Sequence, residues 1–296
     1  MNLRISRIVA RLALSLAAAG AIGLPAAAQA AGAAYPLDSF PTKKLSDQAA
    51  LQNGAKLFVN YCLNCHSANL MRYNRLTDIG LTDTQIRDNL LFSAAKIGDP
   101  MKIAMSPNDA KEWFGALPPD LSVATRARSS HSGTGSDWVY TYLRSYYRDA
   151  TRATGWNNAV FPAVGMPHVF WELQGSRGAT IEEIKANKDE KTGAVIGFTK
   201  TLITFDNQGQ RTDKTEKLDN RFLHEASVVR LGPAVGGKVT QAQYDEHIAD
   251  LVAYMTYMSD PSAKSRVRLG VWVLLFLSIF TVLAWWLNRE FWKDVK

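Results

Sequence analysis

The sequence predicts a mainly α-helical domain carrying a small β-hairpin insertion and ending in one transmembrane helix. Three observations predict it. A helical stretch, Ser46 to Tyr61, runs directly into Cys62-Leu63-Asn64-Cys65-His66. A capped amphipathic helix, Gln241 to Ser259, closes the domain. An uncharged apolar run, Leu269 to Leu287, follows it.

The pentapeptide holds the only two cysteines of the chain, in the pattern C-x-x-C-H. Two thiols at this spacing can each form a thioether to one vinyl group of a single haem, and the adjacent His66 then sits beneath the iron as proximal ligand. The domain is therefore expected to be a c-type haem domain holding one covalent haem c. Other readings fit less well. A thioredoxin-like C-x-x-C opens a helix after a strand, whereas Ser46 to Tyr61 reads as helix. A zinc site needs two further ligands, and no second cysteine pair exists. A disulfide between residues this close is strained.

The first element supports export. Arg4, Arg7 and Arg11 precede an apolar run, Leu12 to Leu24, and "PAAAQA" supplies a small-residue cleavage site. Residues 1–30 thus read as a secretory signal peptide cut after Ala30. That leaves 31–262 as the exported domain, in a compartment where further cysteines would compete for Cys62 and Cys65.

Within the exported domain, Ala49, Leu57, Phe58 and Tyr61 fall on one face of the first helix. Gly54 lies in its middle. A mid-helix glycine costs ~1 kcal/mol relative to alanine and marks a close approach by another backbone. The expected partner is Gln241 to Ser259. Thr240 and Gln243 form a capping box at its start, Ile248, Leu251, Val252, Met255 and Met258 mark its apolar face, and Asp260-Pro261 stops it. A further helix, rich in Tyr and Trp, is expected from Asp137 to Tyr147. "VIGFTKTLITF", Val195 to Phe205, has β-branched and aromatic residues in partial alternation, and "DNQGQ" follows as a turn. Residues 174–230 therefore read as an insertion with a β-hairpin.

The last element is the apolar run. Its nineteen residues span ~28 Å as a helix, close to the hydrocarbon thickness of a bilayer. Trp272 at one end and Trp285 and Trp286 at the other suit the two interfaces. Three basic residues flank each side, so flanking charge does not set orientation. The signal peptide does: the linker 263–268 leads to the span 269–287, and 288–296 stay in the cytoplasm.

The formal charge of +7 comes from the two ends of the chain. Between residues 31 and 263 basic and acidic side chains balance, which removes the case for nucleic-acid binding.

A six-coordinate haem needs a second axial ligand, Met or His. Met255 and Met258 belong to an apolar helix face, and Met71 is too near His66 to reach the opposite side of the ring. Met166, in "FPAVGMPH", is held between Gly165 and Pro167 in a stiff loop. His168, His131, Met101 and Met105 are the alternatives.

Read together, "YCLNCHSANLMRYNRL", "GALPPDLS" (Gly115 to Ser122), "RAR", "AVGMP" and a final helix running into an anchor resemble the cytochrome c1 family, the haem c subunits of ubiquinol–cytochrome c reductase. The resemblance covers 46–172 and 232–296. It implies Met166 as sixth ligand, a haem propionate paired with Arg128, Pro118, Pro119 and Leu121 packed on the haem, and Trp138 near it. It also implies an electron carrier, not an enzyme by itself, that takes an electron from a Rieske iron–sulfur protein and passes it to a cytochrome c. Cytochrome b, membrane lipid and a dimeric complex complete the implied surroundings. The implied location is a bacterial inner membrane, crossed once, with the haem domain in the periplasm. The sequence departs from the family at the 174–230 insertion and at the polar "SSHSGTGS". It also lacks the acidic run on which the family often docks a basic cytochrome c. Two rival readings are an anchored cytochrome serving another oxidase, and a haem enzyme or sensor with an open iron.

Overall fold

The computed structural model describes residues 35–189, 191–218 and 224–294; the signal peptide read at 1–30 lies outside them. Helix α1 (Gln48–Leu57) starts at Asp47, whose carboxylate accepts from the N–H groups of Ala49 and Ala50, a capped end. The chain then widens into a π-helical turn, Phe58–Cys62, in which Leu63 N–H donates to the Phe58 carbonyl at 3.0 Å. The expected helix is present, with its last turn underwound where the cysteines arrive, a common place for such a turn at functional sites.

There follow β1 (Ala68–Arg72), a 3-10 segment (Tyr73–Ile79), α2 (Asp83–Asn89), β2 (Pro100–Met101), α3 (Pro107–Phe114), α4 (Ala124–Ala127) and α5 (Gly135–Arg144). Thr134 and Asp137 box the start of α5. This helix stops at Arg144 rather than Tyr147, because Tyr146–Arg148 pair as strand β3 with β4 (Trp156–Asn158). Next come α6 (Trp171–Gln174), β5 (Gly175–Ser176), β6 (Ala179–Lys188), β7 (Val195–Phe205), β8 (Arg211–Leu218), β9 (Ala226–Leu231), β10 (Val235–Gly236), α7 (Gln241–Ser259) and α8 (Ala263–Phe291).

Helices α1 and α7 cross where Gly54 predicted. A Cβ on Gly54 would lie 2.0 Å from the Asp250 carbonyl oxygen and 2.7 Å from Tyr254 Cβ. The crossing is pinned on its polar side. The Asp250 carboxylate accepts from Lys44 Nζ and Asn53 Nδ2, each at 2.8 Å. Helix α5 docks on α7 from the other direction. Tyr244 OH donates to the Leu143 carbonyl at 2.8 Å, and the Arg144 fork binds Asp245 at 2.7 and 2.9 Å. Phe58, Tyr73, Leu76, Ile248, Leu251 and Tyr254 fill the core between them, and each large apolar side chain so buried stabilises the fold by about 1.5–3 kcal/mol.

The insertion is larger than a hairpin. It is a four-stranded antiparallel sheet in the order β8-β7-β6-β9. Strand β7 has the predicted bounds. Strands β6 and β8 escape a reading of the sequence because their charged residues face water or an edge, which suits an exposed sheet. Glu182 on β6, for example, pairs with Lys200 of β7 at 2.9 Å. The sheet leaves and rejoins the helical body through the β5–β10 pair. Gly175 makes that root possible: its φ is +84°, and a Cβ there would lie 2.3 Å from the Val235 carbonyl. Ala179, Ile203 and Phe205 pack on Tyr147 and form a small second core.

Helix α8 is the one helix among the described residues long and apolar enough to cross a membrane; the most apolar eighteen-residue stretch within Ser265–Phe291 has mean hydropathy 2.2, and none of that stretch is buried. The residues read as a linker, 263–268, are its first turns. Arg266 there bonds the Asp260 carboxylate at 2.5 and 2.9 Å, which ties the anchor to the end of α7.

Candidate haem site

The site is built on the turn after α1. Cys65 N–H and His66 N–H both donate to the Cys62 carbonyl, at 3.1 and 2.9 Å, so one turn holds all three side chains. Both cysteines are free thiols, Cys62 buried and Cys65 half-buried. Burial pushes the Cys62 thiol up to about 12 and the Cys65 thiol above its ordinary value.

His66 is buried, and its Nδ1 lies 2.7 Å from the Pro119 carbonyl oxygen. A carbonyl only accepts, so Nδ1 carries the proton and Nε2 keeps its lone pair. This is the orientation a metal-ligating histidine takes from a supporting carbonyl. Burial lowers the His66 pKa, against the opposing pull of the Pro119 bond and Asp120, so the ring is neutral at pH 7.

The Gly115 to Ser122 segment is tied to this turn at several points. Leu121 N–H donates to the Ser67 carbonyl at 2.9 Å. The Asp120 carboxylate accepts from the Asn69 backbone and side chain at 2.8 and 2.7 Å, and from Ser122 N–H at 2.8 Å. Pro118 and Leu121 are half-buried, while Pro119 is exposed and contributes its carbonyl. The two adjacent prolines stiffen the backbone that aims this carbonyl.

Met166 is half-buried against the main core. Its sulfur accepts from Tyr142 OH at 3.4 Å, and its carbonyl oxygen lies 3.3 Å from the Tyr146 hydroxyl. Two of the four rival ligands, His168 and Met101, are otherwise engaged. His168 is buried, stacks on Tyr146 at 4.7 Å, and meets the Gln174 amide nitrogen at 2.6 Å through Nε2; burial drives its pKa to about 3. Met101 is fully buried with its sulfur bonded by Tyr254 OH. His131 is exposed and Met105 half-buried. Arg128 is exposed and lays its guanidinium over the Trp138 ring at 4.5 Å. Trp138 in turn stacks on Tyr142 at 4.8 Å. Sequence reasoning misses Tyr142 and Tyr146. Their clustering in the Tyr-rich stretch around the end of α5 is the signal that could have found them.

The residues fit a covalent haem c. Two unpaired thiols and an imidazole with Nε2 free stand on one turn, with a thioether in a separate loop held by hydrogen bonds. Among the described residues no cluster of three or more His, Cys, Asp or Glu side chains is placed to hold a bare metal ion.

The comparisons with known proteins agree. The model of the Cytochrome C1 family matches residues 39–111 and 236–295, which include the C-x-x-C-H turn, α7 and the anchor. Arg128 and Met166 fall between the two matched stretches. Cytochrome c1 of Allochromatium vinosum is 40% identical over 272 residues, covering 92% of this chain and 94% of that protein. A protein of Nitrosomonas europaea named ammonia monooxygenase gamma subunit is 37% identical over 92% of this chain and 94% of its own length. Cytochrome b/c1 of Bradyrhizobium diazoefficiens is 25% identical over 97% of this chain and 40% of that protein. On the site's donor set and on this similarity, the chain belongs to the cytochrome c1 family, whose members are haem c electron-transfer subunits of the cytochrome bc1 complex rather than enzymes by themselves.

Proposed function

We propose that this chain carries one haem c, attached through Cys62 and Cys65, with His66 and Met166 as axial ligands, and relays electrons from a Rieske iron–sulfur protein to a cytochrome c. The bound haem supplies a one-electron redox centre, and Met ligation favours a high potential. The chain's own residues do the rest. The Pro119 carbonyl holds His66 in the tautomer that offers Nε2. Arg128, which lies over the Trp138 ring, would pair with a haem propionate, for which its fork is suited. Pro118, Leu121 and Trp138 shield the ring from water. Helix α8 crosses the bacterial inner membrane once and keeps the haem domain in the periplasm beside cytochrome b, within a dimeric ubiquinol–cytochrome c reductase. The name of the Bradyrhizobium relative supports the cytochrome b partner. The observation that carries the proposal is the His66–Pro119 bond on the same turn as two free thiols.

A second reading, a subunit of an oxygenase complex, rests on the name of the Nitrosomonas relative. Ligation separates it from an open-site haem, and Met166→Leu tests ligation. The variant is expected to keep its covalent haem, since both cysteines survive. It should lose the sulfur bond, fall in potential and bind CO when reduced. A variant whose reduced spectrum and CO behaviour match the wild type would move the sixth ligand to another residue.

A further inference from the structure

The two tyrosines beside Met166 are placed to do more than fill space. Tyr142 and Tyr146 are both buried, and both rings are clamped. Tyr142 stacks under Trp138 at 4.8 Å and 12°, and Tyr146 against His168 at 4.7 Å and 7°. Their hydroxyls meet at 2.6 Å. Two phenolic protons are shared among three acceptors: the Met166 sulfur, the Met166 carbonyl and one of the phenols. A 3.4 Å separation is ordinary for a bond to the large sulfur atom, whereas 3.3 Å to the carbonyl is long for an O–H donor, which prefers 2.7–2.8 Å. Tyr146 therefore donates to Tyr142, and Tyr142 donates to the sulfur.

We propose that Tyr142 is a positioning and tuning residue, whose hydroxyl bonds the second lone pair of the Met166 sulfur, aims the first at the iron and favours the reduced state. The inference rests on Met166 being the sixth ligand. A proton on the free lone pair draws density from sulfur, so the bond is strongest when the iron is reduced and the sulfur most electron-rich. Hydrogen bonding to a ligand is one of the protein's levers on a haem potential. An ordinary phenol stays protonated throughout the physiological range, so the donor proton is present. Tyr146 orients Tyr142 and acts on the ligand only through it.

The test uses the full-length, haem-loaded chain and Tyr142→Phe, which keeps the ring under Trp138 and removes one hydroxyl. At a fixed ambient potential its ratio of reduced to oxidised haem is expected to fall roughly three- to tenfold, the worth of one hydrogen bond; at 59 mV per tenfold that is about 30–60 mV. The sulfur-to-iron charge-transfer band of the oxidised protein should persist but shift. Tyr146→Phe should move the ratio by less than half as much, because Tyr142 still donates. Wild-type protein without that band would overturn the Met166 reading and this inference with it. A wild-type band together with an unchanged ratio in Tyr142→Phe would overturn the inference alone. So would Tyr146→Phe producing the whole shift. If Tyr142→Phe fails to hold haem, the iron–sulfur stretch of the wild type gives the same answer: it shifts in deuterated buffer if a proton sits on the sulfur, and stays fixed if none does.

Discussion

A chain stopped after Pro261 will be exported, take up haem and stay in solution, yet fail to support quinol oxidation in membranes. The cut removes α8 and leaves α1, α7, the C-x-x-C-H turn and Met166 in place. No residue of the apolar span is buried, so its loss opens no cavity in the haem domain. The charged tie that is cut, Arg266 to Asp260, joins an exposed cation to the end of α7, and such surface pairs contribute little to stability. The soluble form should exchange electrons with a small cytochrome c in solution. In membranes the effect is large, because tethering raises the effective concentration of a partner and its loss lowers occupancy by roughly a hundredfold or more. Quinol–cytochrome c reductase activity of membranes carrying only the truncated chain is the measurement. Full activity would make α8 a dispensable tether.

Gly54→Ala is expected to lower stability strongly. The new Cβ would sit 2.0 Å from a backbone oxygen of α7, and no side-chain rotation relieves a clash with backbone. Helix α7 is also held in place, by Lys44 and Asn53 on Asp250 and by Arg144 on Asp245. Alanine improves helix propensity by only ~1 kcal/mol, against an overpacking cost of about 3 kcal/mol or more. The net loss is a large part of a domain stability of roughly 5–15 kcal/mol. Denaturant unfolding should show the midpoint falling and haem-loaded yield dropping with it. An unchanged midpoint would mean that the two helices do not cross at Gly54.

Much of this is legible in the amino-acid sequence. The pentapeptide Cys62 to His66 names its chemistry, because spacing alone selects the reaction. Gly54 announces the helix crossing, because a mid-helix glycine in an otherwise good helix needs a reason. Thr240, Gln243 and Asp260-Pro261 set the bounds of α7 because caps and breakers are local chemistry. What stays hidden depends on contacts between distant segments. The end of α5 at Arg144 is decided by the pairing of Tyr146 with Asn158, a tertiary override of helical periodicity. Strands β6 and β8 look like charged linkers because a sheet on the surface needs little apolar sequence. The partner of His66 is a backbone carbonyl at Pro119, and backbone groups leave no residue-type signal. Tyr142 and Tyr146 are visible as residues, but their convergence on Met166 requires the loop that carries it.

If this haem takes electrons from quinol inside a complex with cytochrome b, the complex should be recoverable intact and competent. The direct measurement is to tag the C-terminus, solubilise membranes in mild detergent, purify what the chain brings with it and add ubiquinol while recording the covalent haem's absorbance. A b-type cytochrome and a Rieske protein are expected to come through together with the chain, and its haem c to become reduced within a catalytic turnover. A chain that emerges alone or with oxygenase subunits, and whose haem stays oxidised under quinol, would contradict that electron path.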